Sequence, residues 1–154
     1  MLPSYPSIVN NSVVRMVALF VFILGALNLY FQNIILAMFL CYGFVTRALW
    51  ADRIDPTANI IVTVFGPFLP FVPKVGIPKR FAQAIGAICS CNIVLFSLLG
   101  FQTPSLVLSI MLVVFSGLEA FLGFCVGCWM FNRLMDWGLI PASTCEACNN
   151  VKLY

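Results

Sequence analysis

The residues best able to do chemistry are four cysteines in the stretch FCVGCWMFNRLMDWGLIPASTCEAC, namely Cys125, Cys128, Cys145 and Cys148. Together they read C-x2-C-x16-C-x2-C, a spacing seen in four-cysteine zinc sites. On a helix, Cys125 and Cys128 share one face with Cβ atoms about 5–6 Å apart. That separation suits two thiolates along one edge of a metal tetrahedron or, after local adjustment, a disulfide, and the pair alone leaves both open. Gly138 and Pro141 let the chain leave the helix and fold back, so that the second pair can meet the first. The chain has no histidine, which removes the commonest nitrogen ligand and the commonest general base. A metal here rests on cysteine or carboxylate, with zinc the expected ion and iron the second choice. The alternative is thiol–disulfide or sulfur-handling chemistry on Cys125 and Cys128. Cysteine is also a good small apolar filler, and Cys41, Cys89 and Cys91 are read as packing residues.

A second candidate is Glu119, the single acid in a long apolar run from Phe81 to Asn132. With a helix continuing to about residue 133, Glu119 stands roughly 18 Å from the helix end at helical rise, near the bilayer centre. A carboxylate there is a functional candidate by default. Asn92 on the preceding helix is the expected partner, and a protonated Glu119 bonded to Asn92 as interhelical glue is the structural alternative. Gly123 and Gly127 form a GxxxG that permits close helix approach, within the bundle or between protomers.

The elements that must hold these groups are membrane helices. The chain is 62% hydrophobic and only 8% charged, against roughly a quarter charged in soluble domains. Its 154 residues make one domain. The net charge of +3 is spread out, so nucleic acid is not an expected partner. Arg15 precedes the first apolar stretch without a following signal-cleavage pattern, which predicts a retained helix. Helices are predicted near residues 13–31, 33–50, 80–101 and 104–133, turning at YFQN and GFQTPS, where Pro104 suits a helix start. All eight Lys and Arg then fall on one side, so both termini are expected in the cytoplasm. Between the two hairpins, residues 55–66 are predicted to form a short interfacial helix, with Asp55 as N-cap and Pro56 first in the helix. The proline-punctuated stretch after it should be extended, and residues 134–154 form a cytoplasmic tail. The two halves look like a weak parallel tandem repeat.

Two motifs carry a resemblance. PKRFAQAIG, from Pro78 to Gly86, and GFCVGCWMF, from Gly123 to Phe131, resemble the Arg-Phe-x-Gln start and Phe-Cys-x-Gly-Cys end of a family of small bacterial integral-membrane proteins classed as a domain of unknown function. Arg80, Phe81, Gln83, Phe124, Cys125, Gly127 and Cys128 match, whereas in the first half Arg15 matches and Ala18 stands where a glutamine is expected. The resemblance covers most of the chain, and it implies a multi-pass protein of the bacterial plasma (inner) membrane with a loose association with thiol or sulfur chemistry.

The sequence contains no phosphate-binding glycine loop, Ser/His/Asp set or paired carboxylates. The expectation is thus an all-α polytopic membrane protein of four transmembrane helices. Its leading function is a non-enzymatic one, presenting a four-cysteine zinc site at the cytoplasmic face. Thiol redox at Cys125 and Cys128 is the first alternative. An accessory role in a larger membrane complex, or in a homo-oligomer, is the second.

Overall fold

The computed structural model describes residues 8–50 and 56–139. Strand β1 (Ile8–Asn10) leads into α1 (Asn11–Phe31) and α2 (Ile34–Trp50). After α3 (Pro56–Phe65), a 3-10 turn over Gly66–Phe68 and strand β2 (Pro73–Val75), the chain enters α4 (Gly76–Leu98) and α5 (Gln102–Gly117). A π-helical turn, Leu118–Leu122, then precedes α6 (Val126–Asp136).

Local chemistry fixes the starts and stops. The Asn10 side chain accepts the Ser12 N–H at 3.1 Å and caps α1. Gln32 ends it in the left-handed region, φ 49°, with its N–H on the Asn28 carbonyl. Asn33 Oδ1 accepts the Ile35 N–H at 2.8 Å, opening α2 one residue later. Gly100, φ 78°, turns the chain between α4 and α5. The extended stretch before α4 is paired rather than free: Ile8 lies opposite Val75 and Asn10 opposite Pro73 in a two-stranded antiparallel ribbon. The Asn11 N–H also donates to the Val72 carbonyl at 2.7 Å. This ribbon ties the start of α1 to the start of α4, and strands of three residues lie below what periodicity can reveal.

Helix α4 is central, packing against α2, α5 and α6, while α1 packs against α5, α2 and α3. The core gathers Val13, Val17, Val21, Leu40, Ile93 and Leu112, and Ile61 brings α3 into it. Small residues allow the close approach of α4 and α5. Ser97 and Ser105 share a hydroxyl hydrogen bond at 2.9 Å, and Ser109 and Ser116 each donate to the carbonyl four residues back, both at 2.8 Å. Outward-facing Phe39, Ile88, Leu95, Val107 and Val114 are exposed, an apolar exterior that water would not tolerate. Three segments, Asn11–Phe31, Gly76–Leu98 and Gln102–Leu122, are long and apolar enough to cross a membrane, and the apolar α2 is shorter. The protein is a helical membrane protein.

The largest departure from expectation lies at the end of the last span. The continuous helix expected over 104–133 is broken: after the π-turn, Gly123 adopts φ 69° and the chain restarts at α6. Hydropathy runs through this break without a dip, and a glycine in an apolar run reads as a packing residue. Helix α4 also begins earlier than expected, at Gly76, with Pro78 in its first turn. At the other end, α6 carries helix to Asp136, into the stretch expected to be tail.

Candidate functional site

The helix break creates the site. Cys125 is extended, φ −92° and ψ 105°, and is the N-cap of α6, where its Sγ accepts the Cys128 N–H at 3.4 Å. Cys128 sits one turn into the helix. Both residues are half-buried. This differs from two cysteines side by side in mid-helix, because the first sulfur now faces the unsatisfied N–H groups and positive end of a helix.

A buried ion pair adjoins the dithiol. Lys79 Nζ, from the first turn of α4, pairs with Glu119 Oε1 on the π-turn, with side chains only 5% and 15% exposed. Both charges act on both sulfurs. The Cys125 thiol is lowered from its ordinary value, first by the hydrogen bond from Cys128 and then by the Lys79 ammonium, against opposing contributions from burial and Glu119. Cys128 is pushed up, because its proton is held by Cys125 and its surroundings are dry. One sulfur is thus set up as the thiolate and the other as the thiol.

Neighbouring groups hold the frame. Arg15 donates from Nε and Nη2 to the Ala120 carbonyl at 3.3 and 3.2 Å, and from Nη2 to Phe121 at 3.0 Å, pinning the π-turn to α1. Arg80 Nε donates to the Ala48 carbonyl at 3.0 Å near the end of α2. At Gly127 an added Cβ would stand 2.6 Å from Ala82 Cα, so α6 touches α4 where only glycine fits. The GxxxG is thereby divided: Gly127 serves close approach and Gly123 serves the break. Trp129 on α6 and Trp137 at its C-cap are exposed, and the Arg133 guanidinium lies 5.5 Å from the Trp129 ring centre.

Beside the dithiol, a partly enclosed cavity of about 90 Å³ enters the helical core. Its walls are mainly apolar, and Arg47, Gln83, Ser116, Glu119 and Cys125 are among its polar lining residues. Gln83 Oε1 is buried and has no hydrogen-bond partner among the described residues.

The expected site residues are therefore only partly assembled. Cys125 and Cys128 come together, Glu119 faces Lys79 beside them, Gln83 shares a cavity wall with Cys125, and Arg80 is directed to the end of α2. Cys145 and Cys148 lie outside the described residues, and among the described residues no three metal-ligating side chains converge. Asn92 is not Glu119's partner: its amide donates to the Ile88 carbonyl of its own helix at 2.8 Å. Asn92 lies about 20 Å further along α4 than Lys79, whereas Lys79 and Glu119 stand nearly equidistant in sequence from the Gly100 turn. In the apolar segment that ends at Leu122, Glu119 lies in the last turn rather than in the middle. The equal spacing about Gly100 was the available signal for Lys79. Cys41 and Cys91, read as separate fillers, face one another from α2 and α4 with sulfurs 2.8 Å apart.

No curated protein and no solved structure matches the chain. A family model described as a domain of unknown function (DUF4395) matches residues 9–136, a range that holds Lys79, Glu119 and the Cys125–Cys128 pair and stops short of Cys145. Spanning most of the chain, that match makes this protein a member of the DUF4395 family.

Proposed function

We propose that Cys125 and Cys128 are a redox-active dithiol at the membrane surface, exchanging with a disulfide on a protein or small-molecule partner. One observation carries this reading: the Cys125 sulfur caps α6 and accepts the Cys128 N–H, in the field of the Lys79 ammonium. A thiolate stabilised by a helix N-terminus and a nearby cation is the nucleophile of disulfide exchange. In the forward direction, Cys125 attacks one partner sulfur, and the partner's second sulfur leaves as thiolate and takes up a proton. Cys128 then gives up its proton, for which Glu119 is the nearby carboxylate, and attacks Cys125. The Cys125–Cys128 disulfide forms, the partner departs as a dithiol, and two electrons have passed to it. The reverse sequence oxidises the partner.

The arrangement in the membrane belongs to the same proposal. Two helix hairpins, α1–α2 and α4–α5 with α6, cross four times, and the one-sided placement of Lys and Arg supports cytoplasmic termini. The dithiol then faces the reducing side of a bacterial plasma membrane, where its resting form is reduced. A zinc site shared with Cys145 and Cys148 is the competing reading, and one set of measurements separates the two. Cys128→Ser incubated with glutathione disulfide should accumulate a Cys125–glutathione mixed disulfide, seen as a mass increase that reductant removes. Failure of Cys125 to form that adduct, with about one metal per chain protecting the cysteines until chelation, would overturn the redox reading.

A further inference from the structure

We infer that the cavity beside Cys125 is a binding site for the ring of a membrane-soluble quinone, which takes the electrons of the Cys125–Cys128 dithiol; this rests on the redox reading of that pair. The cavity lies among helices that cross the membrane, so its natural ligands arrive from the lipid rather than from water. Its volume of about 90 Å³ is several times what one water occupies, and Val17, Val21, Leu112 and Phe115 make most of its wall apolar. A flat organic ring suits that space. Because the cavity is only partly enclosed, the reacting edge of the ring can be held while its tail remains in the bilayer.

The polar groups match the two redox states of such a ring. The Arg47 side chain, 3% exposed as a residue, brings a positive charge to the cavity, suited to a carbonyl oxygen that gains electrons. The Gln83 Oε1, buried and without a partner among the described residues, is an acceptor waiting for a donor. A quinone offers none, and the quinol hydroxyl supplies it. Gln83's own amide N–H groups can serve the quinone before reduction. Cys125 also lines the cavity, placing the nucleophilic sulfur against the ring.

The stoichiometry closes. Two thiols lose two protons and two electrons, the S–S bond between Cys125 and Cys128 forms, and the two carbonyls of the quinone become two hydroxyls. One dithiol reduces one quinone, and no further reactant is required.

The probe is decylubiquinone, whose fully substituted ring resists direct addition of thiols. The reduced full-length protein in lipid nanodiscs should convert it to quinol, followed by absorbance, with one Cys125–Cys128 disulfide formed per quinol. Gln83→Leu and, independently, the cavity-filling Ala18→Leu should each slow this step about tenfold or more. Ala18→Leu should exchange with glutathione disulfide at the unmodified rate. Oxidation by glutathione disulfide but not by decylubiquinone would overturn the quinone site and leave the dithiol reading standing. Reaction with neither would remove both. Quinone reduction at full rate in both cavity variants would remove the cavity as its site.

Discussion

Lys79→Met should be the most informative single substitution, because Lys79 joins the fold to the dithiol. Its ammonium and the Glu119 carboxylate are both nearly removed from solvent, so the small values measured for surface pairs do not apply. At an effective dielectric of about 20 and contact distance, the attraction is about 4 kcal/mol. Removing one partner of a buried pair commonly costs about 3–5 kcal/mol, since the other charge is left without compensation. Glu119→Gln alone should destabilise at least as much, because the Lys79 side chain left behind is the more deeply buried of the two, 5% exposed against 15%. The double variant removes both charges and should recover at least about 2 kcal/mol relative to the sum of the singles. Reversible unfolding in mixed micelles, with all four proteins in the same detergent, reads these differences. The same Lys79→Met protein should alkylate more slowly at Cys125 near neutral pH, because the thiolate loses its nearest cation. Additive single effects, within about 0.5 kcal/mol, together with unchanged Cys125 reactivity, would refute the pairing and its effect on the sulfur.

Three further outcomes follow from the same geometry. The Cys125 thiol is lowered, so its thiolate and its alkylation rate should persist above that lowered value and fade as pH falls through it; an ordinary free cysteine would keep gaining rate to about pH 9. Cys128→Ala removes the hydrogen bond that contributes most and should move the profile upward, so an unmoved profile would contradict the assignment. Gly127→Ala forces a Cβ against the backbone of Ala82 and should cost about 1–3 kcal/mol of stability, measured by the same unfolding assay. Mild oxidation should join Cys41 to Cys91, so that cleavage between α2 and α4 leaves two fragments linked on a non-reducing gel; separate fragments would contradict the facing of those helices.

Much of the architecture could be read from residue order. The turn after α1 followed from the amide residues around Gln32 and Asn33, the start of α5 from Pro104, and the membrane class from the near absence of charge. The CxxC pair was visible as a motif, but its geometry was not. What turns two cysteines into an N-cap and a first-turn residue is the positive φ of Gly123, and in an apolar run that glycine looks like any other small packing residue. Lys79 was hidden for a different reason. Counting cations by side of the membrane assigns each to solvent, whereas the start of α4 is buried under the ribbon and the π-turn. Glu119 stands out in the sequence as a lone acid in an apolar run, but its pairing with Lys79 does not, because a helix drawn through to residue 133 sets it level with Asn92. The meeting of Cys41 and Cys91 depends on how α2 and α4 are rotated about their axes, which composition does not encode.

The redox behaviour of two sulfurs decides what this site does. The purified protein, equilibrated across a series of glutathione ratios, quenched in acid and differentially alkylated, can be read by peptide mass. A single two-electron transition is expected, in which Cys125 and Cys128 lose and regain alkylation together, linked to each other in the oxidised form. Both thiols remaining alkylatable at every ratio, or becoming protected only as a chelatable metal complex, would contradict it.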